Sequence, residues 1–400
     1  MKYDFTTFYD RRGKDALAVE CPPPGMLRDL TPRFSAIPMW VADMNFATVP
    51  TVQSAIAGRL GHPLFGYFRP RREYYDAIIR WQSERNGADG LTAKHIGYEN
   101  GVLGGVASAL SVLCCRGDEV LLHSPTYIGF TNTLEANGYR IVHSPLVQDQ
   151  DGVWRMDYED MENKLRGHHI HAAIFCSPHN PTGRVWEREE VERAMELYRK
   201  YDVLVISDEI WSDLTLFGNR HIPTQSVGTD ARERTIAFYA PSKTFNLAGL
   251  VGSYHIVYND YLRERLERAG EMSHYNEMNV LSMYGLIGAY SDEGREWVTE
   301  LREVLGENVD WACRYIADHF PGVSVSRPEG TYMLFIDCAG WCAAHGKTMD
   351  ELLRAGYEVG VLWQDGRAFH GASHIRINLA LPKAKLEEAF ARLDQYVFNA

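Results

Sequence analysis

From about residue 50 the chain alternates between two hydrophobic periods. One is the three-to-four-residue spacing of an amphipathic helix; the other is a short, continuous apolar run of strand length. The helical spacing predicts helices at 51–60 (TVQSAIAGRL), at 74–87 (YYDAIIRWQSERNG, closed by Gly87) and at 105–114. It predicts others at 126–138, with Gly138 as a C-cap, at 157–166 and at 188–201. The apolar runs predict strands at EVLLHS (119–124), RIVHSP (140–145), AAIFCS (172–177), VLVISD (203–208), RTIAFYA (234–240) and GSYHIVY (252–258). Several of these runs do not alternate with polar residues. That pattern suits strands buried on both faces, as in a parallel sheet covered by helices. The expected fold class is therefore α/β, with a doubly wound large domain whose ligands sit at the carboxyl ends of the strands.

The pattern changes near the ends. The first 46 residues carry Pro22, Pro23, Pro24 and Gly25 and read as an irregular arm. After residue 290 a long charged helix (297–320) precedes short strands at 323–326, 331–338 and 374–380, and a closing helix spans 383–397. This reads as a second, α+β unit joined by the arm.

Composition narrows the function classes. The 400 residues are 45% hydrophobic and 24% charged, the profile of an ordinary soluble globular protein. A net charge of −12 argues against nucleic acid as a partner. No apolar run approaches the roughly 20 residues of a membrane span, and MKYDFTTFYDRRGKD has no signal-peptide core. The seven cysteines are scattered and form no C-x-x-C pair, so no metal site is expected and a reduced, cytoplasmic protein is.

Four features fall at strand ends or in tight loops. Gly101, Val102 and Leu103, in ENGVLGG, precede a helix and let its first N–H groups approach a phosphate. SPHNPTGR (177–184) holds Asn180 in a turn stiffened by two prolines and Gly183. Asp208 ends an apolar strand, where a carboxylate needs a cationic or hydrogen-bonding partner; Glu209 and Asp213 read as solvated or structural. Lys243, between Ser242 and Thr244, sits in a small-residue loop that suits an imine-forming lysine. Together they meet the demands of pyridoxal 5'-phosphate: Lys243 for the covalent link, Asp208 for the ring nitrogen, Asn180 for the ring oxygen, and the glycine loop with Ser242 for the phosphate. Tyr127 offers a stacking ring. Arg376, in HIRINLA, offers a bidentate site for a substrate α-carboxylate, its plain alternative being an exposed strand arginine.

The segments YDFTTFYDRRG, IPMWVADMNF, PLFGY, SPTYIGF, SPHNPTGRVW, SDEIWSDL, APSKTFNLAGL, PEGTYMLFIDC and HIRINLALP run almost end to end. On them the chain resembles a fold-type I pyridoxal-phosphate enzyme of the class I/II aminotransferase superfamily, and within it the MalY/PatB-type cystathionine β-lyase or C–S lyase branch. The resemblance implies a large domain (47–288) with a mostly parallel seven-stranded sheet and a small domain built from 1–46 and 289–400. It implies a homodimer with shared active sites, with Tyr67 reaching catalytically into the partner's site. Trp40 and Ala42 would line the substrate site with Tyr67, Asn180 and Arg376. Trp211 would contact the cofactor at a position where that branch usually has histidine; an indole N–H can only donate a hydrogen bond. The expected reaction is β-elimination on cystathionine or another S-substituted cysteine. Transamination, and decarboxylation or oxidative deamination on the same scaffold, are the alternatives, and a regulatory protein partner is a further possibility the branch suggests.

Overall fold

The computed structural model describes residues 1–399. Its strands in chain order are β1 (Ile37–Pro38), β2 (Ile96–Glu99), β3 (Glu119–Ser124), β4 (Arg140–Gln148), β5 (Trp154–Met156), β6 (Ile170–Cys176) and β7 (Leu204–Asp208). They continue with β8 (Thr235–Tyr239), β9 (Ser253–Ile256), β10 (Ser324–Val325), β11 (Met333–Asp337), β12 (Val361–Leu362), β13 (Gln364–Asp365) and β14 (His374–Asn378).

The main sheet runs β2-β9-β8-β7-β6-β3-β4-β5. Pairing is parallel from β8 through β4 and antiparallel at β2–β9, β8–β9 and β4–β5. It therefore has eight strands where seven were expected. The apolar runs predicted six of them; β2, four residues long, and β5, a three-residue edge strand paired with the end of β4, were not predicted.

The continuous apolar runs serve two cores at once. Val120, Leu122, Ile174, Ile206 and Ile236 pack with helix Val102–Leu113 on one face. Leu121, Ala173, Phe175 and Val205, their neighbours in sequence, pack with helix Arg188–Lys200 on the other. That helix buries Val191, Ala194, Met195 and Tyr198 at i, i+3, i+4 and i+7 and opens with a reciprocal cap between Glu187 and Glu190. Helix Arg72–Asn86 ends at Gly87, whose φ of 65° is left-handed as a C-cap requires.

The second unit has the sheet β10-β11-β14-β13 against the 28-residue helix Asp292–His319. The arm joins it through β1, which pairs with β12 in parallel register, Ile37 to Val361. Helices Asp260–Ser273, Val280–Ala289, Ala339–His345 and Met349–Glu358 occupy stretches for which no element was expected. No described helix is long and apolar enough to cross a membrane, and the described residues contain no metal-binding cluster.

Candidate active site

Consecutive parallel strands deliver the site residues from one edge of the sheet. Tyr127 follows β3, Asn180 follows β6, Asp208 ends β7 and Lys243 follows β8. Helix Val102–Leu113 begins after Gly101, whose φ is +76°, a conformation that glycine adopts without Cβ strain. This helix starts three residues earlier than the sequence pattern suggested, because Val102 already packs in the core. A cavity of about 260 Å³ lies among these strand ends, lined by Gly101, Val102, Leu103, Tyr127, Asn180, Asp208, Trp211, Ser242 and Lys243, with Ala42 from the arm.

The Lys243 amine donates to the Ala42 carbonyl at 2.9 Å, and the Tyr332 hydroxyl donates to the same oxygen at 3.1 Å. Burial lowers the Lys243 ammonium to about 8; the positive charge of Arg376 pushes the same way, while Asp43 and Asp208 oppose it. Asp208 is buried and accepts only the Ile210 backbone N–H, at 3.0 Å, among its side-chain bonds. Burial raises it to about 7, with Ile210 and Lys243 pulling it back.

Arg376 is buried at 3% exposure, which excludes the exposed-strand alternative. Its guanidinium donates to Asn180 Oδ1 at 3.1 Å, to the Trp40 carbonyl at 3.2 Å and to Gln364 Oε1. Its Nε is buried without an acceptor. The cation lies 4.3 Å from the Phe369 ring centre. Burial lowers it only to about 10, so it remains charged at neutral pH.

Tyr127 is wedged by Phe130 edge-on at 5.4 Å, and a Cβ on Gly129 would lie 2.4 Å from its ring. Trp211 meets Tyr332 edge-on at 4.8 Å and places its ring centre 5.8 Å from the Lys243 amine. The Trp40 indole turns away from the cavity and donates to the Ala18 carbonyl at 3.1 Å; only its main chain reaches Arg376. Tyr67 is fully exposed and does not line its own chain's cavity.

Glu209 and Asp213 are buried, so the solvated alternative fails for both. Glu209 accepts from Ser207, His221, Thr224 and Tyr239. Asp213 accepts from Arg85 at 2.6 Å and from Thr244 at 3.0 Å, which pins the turn beside Lys243. Sequence reasoning missed Cys176, Ile210 and Ala248 in the cavity wall, and Tyr332 and Gln364 behind it. Tyr332 stands in the PEGTY segment and could have been found there; Gln364 left no signal.

The donor set fits pyridoxal phosphate. A pyridinium N–H beside Asp208 would relieve its buried charge, a helix start behind a glycine suits a phosphate, and Arg376 Nε is a buried donor left without an acceptor, which a substrate carboxylate would supply. Comparison with known proteins agrees. The chain is 32% identical to cystathionine beta-lyase PatB of Bacillus subtilis over 90% of this chain and 92% of PatB. It is 28% identical to protein MalY of Escherichia coli, covering 98% of each. The crystal structure of a pyridoxal-phosphate-bound C-S lyase from Staphylococcus hominis superposes with a TM-score of 0.89 at 30% identity, covering 99% of this chain and 98% of that one. The family model for aminotransferase class I and II matches residues 41–393, and the chain belongs to that family.

Proposed function

We propose that this chain is a pyridoxal-phosphate-dependent C–S lyase that cleaves cystathionine or another S-substituted cysteine to a thiol, pyruvate and ammonia. The observation that carries the reading is the convergence of Lys243, Asp208 and Asn180 on one cavity, with the Arg376 guanidinium bonded to Asn180 behind it, in a chain whose relatives named above include a cystathionine beta-lyase and a C-S lyase.

When bound, the cofactor supplies an electron sink that makes the substrate's α-proton acidic. Asp208 would hold the ring nitrogen's proton, Asn180 the ring oxygen, and Ser242 with the backbone after Gly101 the phosphate. Arg376 would bind the substrate α-carboxylate in two places, with Gln364 and the Trp40 carbonyl holding the guanidinium flat. Lys243, with its ammonium lowered to about 8, carries a useful fraction of free amine near neutral pH and would take the α-proton. The Ala42 carbonyl receives that amine and holds it in reach of the substrate. Trp211 and Tyr332 would exclude water from the amine's far side. The bond to sulfur then breaks, the thiolate takes a proton, and one water is consumed in forming pyruvate and ammonia.

We further assign residues 47–288 to the large domain and 1–46 with 289–400 to the small one, and read the enzyme as a cytoplasmic homodimer in which Tyr67 completes the partner's substrate site, Trp40 serving only through the carbonyl that holds Arg376. The pairing of β1 with β12 supports the first assignment, and the free cysteines support the compartment.

The test is to mix purified, cofactor-loaded enzyme with L-cystathionine, and separately with S-methyl-L-cysteine, without any keto acid. Release of pyruvate and thiol in equal amounts is expected. Turnover that begins only when a keto acid is added would make the enzyme an aminotransferase, the reading its family model leaves nearest.

A further inference from the structure

Behind the glycine loop lies a buried acid–base pair that the proposed reaction does not use. Glu99, the last residue of β2, is fully buried, and its Oε1 meets Nδ1 of His255, on β9, at 2.8 Å. His255 is buried too, and neither Glu99 Oε2 nor His255 Nε2 has a hydrogen-bond partner. Strand pairing sets this geometry. Gly97 and Glu99 share one face of β2, and His255 stands opposite Gly97 in the antiparallel register. A Cβ on Gly97 would lie 2.3 Å from His255 Cε1 and from His255 Nε2, so a bare backbone is what lets the imidazole lie across the strand and reach the carboxylate.

The same carboxylate stands behind the start of helix Val102–Leu113. A Cβ on Gly105 would lie 3.2 Å from Glu99 Cγ and 2.4 Å from the Phe238 ring, so the helix's first turn rests on the Glu99 side chain. The Glu99 carbonyl accepts from the Gly101 N–H and from the Ser253 hydroxyl, both at 2.9 Å, which ties the loop to β9. The Gly105 N–H donates to the Gly101 carbonyl at 3.0 Å, and the N–H groups of Val102, Leu103 and Gly104 before it have no acceptor within the helix. All three of these residues line the cavity, and Glu99 does not. Two anions would therefore draw on one helix start: a phosphate from the cavity, and Glu99 from behind. Like charges oppose each other strongly where water is excluded, and a buried carboxylate needs a countercharge. The Tyr98 and Tyr275 phenols also face this carboxylate; burial, and secondarily the Glu99 charge, hold them neutral, so they offset none of it. His255 is the group placed to do so.

We propose that His255 is a positioning residue for the cofactor phosphate and acts through Glu99: by neutralising the carboxylate behind the helix start, it leaves the positive end of that helix to the phosphate. The role rests on the phosphate placement within the proposed function and adds to it a residue that touches neither cofactor nor substrate.

The test titrates the full-length enzyme, stripped of cofactor, with pyridoxal 5'-phosphate and separately with pyridoxal, which has the same ring and aldehyde but no phosphate. The Kd of pyridoxal over that of pyridoxal 5'-phosphate, taken at pH 8.5 where the phosphate is a dianion, isolates what the phosphate contributes. His255→Asn is expected to lower this ratio at least roughly tenfold, because the carboxylate then opposes the phosphate without a cation beside it. Glu99→Gln is expected to keep the ratio within about threefold of wild type, and adding it to His255→Asn is expected to restore the ratio. Equal weakening of both ligands in His255→Asn would make the pair a prop of the fold and refute the proposal. A ratio that does not fall, or that the double variant does not restore, refutes it as well. If His255→Asn does not fold, Glu99→Gln decides alone: a retained ratio is the expected result, and a loss of roughly tenfold with the charge gone overturns the proposal. Wild-type enzyme that binds both ligands equally refutes the phosphate placement beneath it. The lyase reading fails on a separate result, wild-type enzyme that releases no pyruvate from either thioether.

Discussion

At the scale of single residues the site works against the stability of the chain that carries it. Asp208 is pushed up to about 7, so between about pH 4 and 7 the folded chain holds a proton that the unfolded chain has lost. Stability contributed by this group is therefore lost as pH rises through that window, and the full cost is present above it. Lys243, lowered to about 8, has the opposite slope at higher pH: the unfolded chain holds the extra proton between about 8 and its ordinary value of 10.5, so stability rises there. Freed of cofactor, Asp208→Asn should melt higher than wild type by ~2 °C or more at pH 8, with the gap narrowing by more than half at pH 5. A gap that is absent, reversed or equal at both values would remove the argument for Asp208 as a strained, cofactor-directed carboxylate. Lys243→Ala answers a different question. Losing the proton-transferring amine should cut pyruvate release by at least ~100- to 10,000-fold in steady state. A variant that turned over near the wild-type rate would displace Lys243 from the reaction.

At the scale of elements, the turn after β6 does more than hold Asn180. Gly183, at φ +70°, lies against the segment that leads into β11: a Cβ there would sit 2.3 Å from Pro328 Cβ and 2.8 Å from the Gly330 carbonyl. The Gly183 carbonyl accepts from both Glu329 and Gly330, and buried Arg184 pairs with Glu190 and Glu329. Gly183→Ala combines backbone strain with a clash against main chain. It should cost about 2–4 kcal/mol in denaturant unfolding and raise KM through Asn180 and Arg376 before kcat changes. A change under ~0.5 kcal/mol would mean that the two segments part easily. This turn also shows why some of the molecule was legible and some was not. Asn180, Asp208 and Lys243 stand where an apolar run stops and a polar or small residue begins, a local signal set by burial on both faces of the sheet. The contact between Gly183 and Pro328 spans two units and leaves no period in either. Contacts inside the small unit between residues far apart in sequence leave none either: β1 on β12, Gln364 behind Arg376 and the Arg11–Asp43 pair. Trp154–Met156 was hidden for another reason: three residues are too few to show a period. Arg376 had the alternation of a half-exposed strand, yet its strand is buried on both faces.

At the scale of the whole molecule, the segment from His62 to Pro70 projects from its own chain, tied back by Arg59, which donates to the His62 and Leu64 carbonyls at 3.2 and 2.7 Å and lies over the Phe65 ring. Every residue of it is exposed, including Leu64, Phe65 and Tyr67. Apolar side chains gathered on one projecting loop mark an interaction surface, and in a two-fold dimer each copy would offer the loop to the other. Sedimentation should then give twice the 45.5 kDa chain mass. Mixed variants give the sharper test. Tyr67→Ala and Lys243→Ala should each be nearly inactive alone. If Tyr67 serves the partner's site, a hybrid dimer of the two variants has one site with both defects and one with neither. Equal mixing with free exchange makes half the dimers hybrid, so about a quarter of wild-type sites should return. If Tyr67 served its own chain, every site in every mixture would keep one defect and nothing would return. Recovery therefore separates a shared site from an exposed loop that merely holds two copies together, a distinction that sedimentation alone does not make.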